Sequence, residues 1–394
     1  MRTLLLCTAL TLAIPMTGCE ARRSATGDAT AATAAAQVAP TRTVASQLGD
    51  VEVTTVASGL EHPWAVALLP DGSFLVTERP GRLRRVSATG ALSPPLQGVP
   101  VVFAQGQGGL LDVALAPDFA STRRIYLTYA EPGEGGRAGT AAAVATLGDA
   151  ALGDLKVIYR QQPKLDSDIH FGSRLAFDGA GHVFISQGER GERPLAQQLD
   201  VLQGKLVRLN LDGSVPADNP FVGRSDARAE IWSYGHRNMQ GLAIDPRTGT
   251  LWESEHGPRG GDEINLPQAG KNYGWPVITH GINYSGFPIP EAVGTTAPGM
   301  EPPHHVWAKS PALSGMAFLV NQPKSRWNNS LFLGALADGS LIRLSLDGDR
   351  ITGEERLLKE LGARIRDVRV AGDGSVFVLT DERDGKLLRL RPPR

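Results

Sequence analysis

The strongest constraint on this chain is an internal repeat. One pattern occurs six times: a short strand with an apolar-x-apolar centre, a turn built on Pro, Asp or Gly, and a second strand of β-branched and aromatic residues. The first copy, from Ala65, reads AVALLPDGSFLVTE. The second starts at Asp112 (DVALAPDFASTRRIYLTYAE), the third at Ser173 (SRLAFDGAGHVFISQGE) and the fourth at Gln240 (QGLAIDPRTGTLWESEHG). The fifth starts at Ser314 (SGMAFLVN, a longer loop, then NSLFLGALADG) and the sixth at Arg366 (RDVRVAGDGSVFVLTDE). Strand, Asp-Gly or Thr-Gly turn, and strand again make a β-hairpin. Most copies continue into a further alternating strand, as at Gly81–Val86, Lys205–Leu211, Leu341–Leu346 and Lys386–Leu390. Stretches of helical period are scarce between them. Hairpins repeating every ~50 to ~75 residues are the mark of propeller blades. The expected fold is therefore all-β, a six-bladed β-propeller of four-stranded antiparallel sheets. A β-solenoid would show shorter, more uniform repeats. The longest spacings follow the third and fourth copies, and insertions on one face of a repeat array usually build its site.

The ends of the chain carry a different message. Met1-Arg2 is followed by an apolar run from Leu4 to about Met16, which reads as a secretory signal too short to span a bilayer permanently. It ends Met16-Thr17-Gly18-Cys19, which resembles the lipobox at which bacterial lipoproteins are cut and acylated on the cysteine. An ordinary secreted protein, cut a few residues later, is the plainer alternative. Residues 19–48, rich in Ala, Thr and Ser, lack the large apolar side chains a core needs and read as a tether. The expected organisation is a signal over 1–18, the tether over 19–48 and the propeller over 49–394. The chain's two cysteines are Cys7 and Cys19, so the propeller has no disulfide and depends on its core. A lipid anchor at Cys19, with Glu20 and Ala21 rather than Asp after it, favours the outer membrane of a Gram-negative periplasm. Net charge is −1 with no long basic run, which gives no reason to expect nucleic acid.

Five segments are polar, glycine-rich and placed at strand ends. Gln105-Gly106-Gln107-Gly108-Gly109 brings a backbone turn to an amide, although a plain turn explains it as well. His170 precedes the third copy, and Glu189 lies in the loop after that copy's hairpin. The hairpin could bring the carboxylate to the imidazole, where it would fix the tautomer and raise the basicity. Arg237 and Asn238 set a cation beside an amide at the entry of the fourth copy, suited to an anion or a reduced quinone oxygen. An inter-blade salt bridge is the alternative. Glu255 to Asn265 (EHGPRGGDEIN), followed by Lys271-Asn272-Tyr273-Gly274-Trp275-Pro276, offers carboxylates and carbonyls, the hard oxygen ligands of Ca²⁺. The acidic spacing is not that of an EF-hand. Arg364 and Arg366, two apart on a strand, share a face that needs an anion or solvent.

Taken in order, these segments resemble the soluble quinoprotein sugar dehydrogenases, which use pyrroloquinoline quinone (PQQ), and most closely their aldose sugar dehydrogenase branch. The strings GHRN-x-QGLA, SEHGPRGGDEIN, KNYGWP and RIRDV carry the resemblance, which covers roughly Leu60 to Arg391. It implies oxidation of aldoses at C1 with PQQ and Ca²⁺, and electron delivery to an external acceptor, a quinone or a cytochrome. By the same resemblance His170 is the general base and Glu189 its acidic partner, where the glucose enzymes have Asp. Gln107 contacts the reacting end, Arg237 and Asn238 the quinone oxygens, and Arg364 with Arg366 clasps the cofactor. The carbonyls of Gly257 and Pro258 would hold the active-site calcium, and Glu263 with the Tyr273 carbonyl a second, structural one. One residue departs from the pattern: Ala337 stands where the family has a lysine that pairs with PQQ. A charge-assisted bond is worth about 1.5–3 kcal/mol, so its loss would weaken binding about ten- to a hundredfold unless another cation, such as Lys309, replaces it.

Two other readings compete. A calcium-dependent lactonase would share the metal and the fold but has little use for two arginines facing a tricarboxylate. A non-catalytic, lipid-anchored propeller binding sugars or proteins fits the change at Ala337 but not the retention of His170, Glu189, Gln107 and Arg237.

Overall fold

A computed structural model describes residues 41–393. The expected signal, Cys19 and most of the expected tether lie outside the described residues. Six antiparallel sheets follow one another along the chain. The first has strands Pro63–Leu68, Phe74–Glu78 and Arg82–Val86, and the second Leu110–Leu115, Arg124–Pro132, Ala138–Leu147 and Leu152–Arg160. The third comprises Leu175–Phe177, His182–Ser186, Lys205–Asn210 and Ile231–Tyr234; the fourth, Met239–Ile244, Leu251–Glu255, Asp262–Asn265 and His305–Trp307. The fifth comprises Leu313–Leu319, Ser330–Ala335, Ser340–Asp347 and Arg350–Leu357, and the sixth begins with Ile365–Val370, Val376–Thr380 and Gly385–Arg391. The first strand of each sheet packs against the first strands of both neighbours, and the sixth against the first. This ring of sheets is a six-bladed β-propeller. Among the described residues the only α-helix is Phe119–Thr122.

The ring closes through strand exchange between the chain ends. Val51–Leu60 pairs antiparallel with Gly385–Arg391, supplying the fourth strand of the last blade. A fifth, Arg42–Val44, pairs with Val51–Val53. The folded unit therefore begins before residue 49, inside the stretch expected as a tether. A three-residue edge strand carries too few apolar side chains to stand out in a polar composition. In the first blade an irregular segment takes the fourth place: Ser93 N–H donates to the Arg85 carbonyl and Leu96 N–H to that of Leu83, both at 2.8 Å.

Each of the six sequence copies is the inner hairpin of a blade. These strands are buried along both faces, as in Phe74–Glu78, Leu251–Glu255 and Val376–Thr380; they start apolar, and the polar residues at their ends lie buried toward the site. The core lies between blades. Val53, Leu388 and Leu390 of the last blade pack with Leu319, Trp327 and Phe332 of the fifth, all nearly solvent-free. Burying one such side chain stabilises the fold by about 1.5–3 kcal/mol.

Candidate active site

Antiparallel pairing of the two inner strands puts the start of the first and the end of the second at the same end of a blade. Six blades bring twelve such ends to one face. His170, Arg237 and Arg364 precede or open a first strand, and Arg79, Glu189, Gly257 and Asp381 follow a second. A cavity of about 320 Å³ opens here, lined by His62, Trp64, Arg79, Gln107, Phe171, Gly172, Asn238, Gln240, His256, Leu336, Arg364, Arg366 and Asp381, among others. Gln107, Asn238, Arg364 and Arg366 thus line it directly. His170 adjoins the lining residues Phe171 and Gly172, and Arg237 adjoins Asn238.

His170 Nδ1–H donates to Glu189 Oε2 at 2.6 Å, and both residues are buried. The two loops meet closely because Gly188 has no side chain: a Cβ there would lie 1.8 Å from the His170 carbonyl oxygen. His170 itself takes φ +53°, unusual for a residue with a Cβ, and its backbone N–H donates to Gln107 Oε1 at 2.8 Å. The Gln107 carbonyl end is therefore occupied in holding His170. Gly191 N–H donates to Glu189 Oε2 at 3.0 Å. Burial pushes the Glu189 carboxyl up, but His170, Arg237 and the Gly191 N–H outweigh it and hold it below its ordinary value. With Nδ1–H committed to the carboxylate, the Nε2 lone pair is the basic position of the ring.

Arg237 Nη1 donates to the His256 carbonyl at 3.1 Å, while its Nε is buried with no partner among the described residues. Asn238 Oδ1 accepts from Gly172 N–H at 3.1 Å and Gln240 Nε2 at 3.3 Å, leaving its NH₂ as a donor at the cavity wall. Burial brings His256 down to about 4, and this neutral ring donates Nε2–H to the Leu313 carbonyl.

Arg364 and Arg366 share the cavity as expected. The anion that meets Arg366 is a side chain the sequence reading did not single out, Asp381, which accepts from Arg366 Nε and Nη2 and from His62 Nδ1–H. Burial pushes Asp381 up, but Arg366, His62 and Arg364 prevail and bring it down to about 2. Arg190 was also missed. Its Nε donates to the Ile169 carbonyl at 2.7 Å and its guanidinium lies 3.6 Å over the Phe171 ring, so it grips the chain on both sides of His170. Its position next to Glu189 was the one available signal. Ala337 is exposed beside the lining residue Leu336, and Lys309, exposed, is not a lining residue.

The donor sets suit cations. Gly257 and Pro258 are buried, and neither carbonyl accepts a hydrogen bond among the described residues. Asp262 fixes their turn, accepting from Gly257 N–H at 3.0 Å and Ala312 N–H at 2.7 Å. Glu263 belongs to a second cluster, in which Asn265 Nδ2 donates to Glu253 at 2.7 Å, Glu263 at 3.0 Å and Glu255 at 3.4 Å. Burial and the neighbouring Glu255 push Glu253 and Glu263 well up. Glu253 Oε2 and Asn265 Oδ1 are buried without partners among the described residues, which fits an oxygen-seeking cation. The Tyr273 ring stacks on His236 at 5.0 Å, and His236 Nδ1 touches Glu255 at 3.1 Å.

The sequence and the fold resemble those of known proteins. The profile of the family described as Glucose / Sorbosone dehydrogenase matches residues 60–389. The chain is 55% identical over 345 residues to the aldose sugar dehydrogenase YliI of Escherichia coli, covering 87% of this chain and 93% of that one. The crystal structure of the soluble aldose sugar dehydrogenase of E. coli in its apo form superposes with a TM-score of 0.85 at 54% identity, covering 87% of this chain and 100% of that one. The PQQ-bound aldose sugar dehydrogenase of Streptomyces coelicolor superposes with a TM-score of 0.72 at 30% identity, covering 86% and 98%. Because the match spans nearly the whole propeller, the chain belongs to the glucose/sorbosone dehydrogenase family.

Proposed function

We propose that this protein is a PQQ- and calcium-dependent aldose dehydrogenase that oxidises C1 of the sugar to the lactone and passes the electrons to an external quinone or cytochrome. The observation that carries the reading is the buried His170–Glu189 pair beside a cavity walled by arginines and amides. Arg364 would meet carboxylates of the cofactor, the Asn238 NH₂ and Arg237 its quinone oxygens, and the carbonyls of Gly257 and Pro258 its calcium. When bound, PQQ supplies a two-electron quinone that accepts hydride, and calcium supplies a Lewis acid for it.

The protein's own part is proton handling and placement. His170 Nε2 takes the proton of the anomeric hydroxyl as hydride leaves C1. Glu189 keeps the ring in the required tautomer and stabilises the imidazolium that forms. Gln107 and Arg190 hold the His170 backbone at its unusual φ, so the base does not have to be ordered during the reaction. Arg237 offers a positive charge where negative charge develops. Glu263, its neighbours Glu253 and Glu255, and the Tyr273 carbonyl would hold a second, structural calcium. The apolar N-terminal run and Cys19 support export to the periplasm with a lipid anchor.

The test is titration of metal-free, cofactor-free protein with PQQ and Ca²⁺, following aldose-dependent reduction of an artificial dye. Saturable activity that needs both additions is the expected result. PQQ binding without turnover on any aldose would refute the catalytic assignment, and no PQQ binding would favour a propeller that only binds sugars or proteins.

A further inference from the structure

The two arginines at the start of the last blade differ in what they have left to offer a ligand. Every guanidinium nitrogen of Arg366 is engaged: Nε and Nη2 on Asp381, and Nη1 on Gln240 Oε1 at 3.2 Å. Arg364 donates Nη1 to the Leu336 carbonyl at 3.3 Å, lies 3.9 Å from Asp381 through Nε, and is half exposed. A third guanidinium, Arg79, lines the same cavity. Its Nη1 donates to the Gly106 carbonyl, and among the described residues it has no carboxylate partner.

The glycine-rich turn after the first blade is built around this side chain. Leu110 N–H donates to the Arg79 carbonyl at 3.1 Å, and Gly106 supplies the acceptor for its guanidinium. At Gly109, with φ +145°, a Cβ would stand 2.0 Å from the Arg79 carbonyl oxygen and 2.5 Å from its Cγ. Any other residue at this position would push Arg79 aside. The string QGQGG therefore does more than turn the chain: it seats a cation at the cavity wall. Arg79, Arg364 and Arg366 face a single lining carboxylate, Asp381, so cationic side chains outnumber carboxylates three to one in the cavity lining.

We infer that Arg79 is a cofactor-binding residue, which together with Arg364 takes carboxylates of the bound tricarboxylate and supplies the positive charge that Ala337 does not. The inference rests on the PQQ reading above. Arg366, already neutralised by Asp381, then serves to hold the wall that Gln240 and Trp64 share.

Binding decides it without reference to activity. Cofactor-free protein in the presence of Ca²⁺ is titrated with PQQ, and quenching of tryptophan fluorescence is followed, since Trp64 lines the cavity. Arg79→Gln is expected to raise Kd about ten- to a hundredfold, the range of one charge-assisted contact. Arg79→Lys should raise it less, because it keeps the charge but loses the planar fork. If Arg79→Gln folds poorly by its thermal midpoint, Arg79→Met, which keeps the apolar stem, repeats the test. Parental affinity in the neutral variant overturns the role of Arg79 and leaves the cofactor assignment standing. A parent protein that does not bind PQQ overturns the cofactor assignment, and this inference with it.

Discussion

His170 is held from three directions: Glu189 at its ring, Gln107 at its backbone N–H, and Arg190 at the carbonyl of Ile169. Such over-determination is what allows a residue with a Cβ to stay at φ +53°. Removing the ring removes the proton acceptor, so His170→Ala should lower turnover by about 10²- to 10⁴-fold. PQQ affinity, measured by the same fluorescence titration, should be unchanged; retained turnover would reject His170 as the base. Glu189 gives a second prediction, through pH. Its carboxyl lies below the ordinary value of 4.5 because His170 and Arg237 outweigh burial. A depressed carboxyl contributes stability that is fully present above 4.5 and is lost as pH falls through the folded-state value. Glu189→Gln should therefore melt below the parent at neutral pH, and the two melting curves should converge in acid. A constant gap down to the acid limit would show that the charge of Glu189 contributes nothing.

Among elements, the inner hairpins do two jobs. They form the core between blades, and their ends present the site. The outer strands add less to the core, carry none of the site and are more polar: Leu152–Arg160 and Arg350–Leu357 are mostly exposed or half-buried. This is why the inner hairpins could be read from sequence six times over while the outer strands left a weaker pattern. The last blade is the exception in construction, since its outer strand comes from the other end of the chain. Leu390, fully buried, pairs with Val53 of that strand and Val376 of its own blade. Leu390→Ala should cost about 2–5 kcal/mol, the range for large-to-small changes in a core. Thermal or denaturant unfolding would measure it, and a loss well under 1 kcal/mol would mean that closure at this pair does not help hold the ring.

For the molecule as a whole, stability without a disulfide rests on packing between blades and, by the reading proposed above, on cations. Glu253, Glu255 and Glu263 converge on one asparagine in a largely buried cluster. A cation that binds only the folded state adds about 2.7 kcal/mol at a hundred times its Kd. Adding Ca²⁺ to chelator-treated protein should therefore raise its thermal midpoint. An unchanged midpoint would remove the structural calcium from the account. The repeat by itself determined the six-bladed architecture, because strand periodicity and turn chemistry are local and recur every blade. The strings around His170, Arg237, Gly257 and Arg364 likewise pointed to the site, since they break the apolar pattern where packing gives no reason to. Only the tertiary structure decided which of these groups meet, and with what. Asp381 lies far along the chain from His62, and nothing local in either segment marks them as partners. Whether an arginine is free or neutralised, as Arg79 differs from Arg366, depends on neighbours that only folding brings up: for Arg366, Asp381 across its own hairpin and Gln240 from the fourth blade. Ring closure by a strand from the opposite chain end was equally invisible, because it is a long-range pairing that no local pattern encodes.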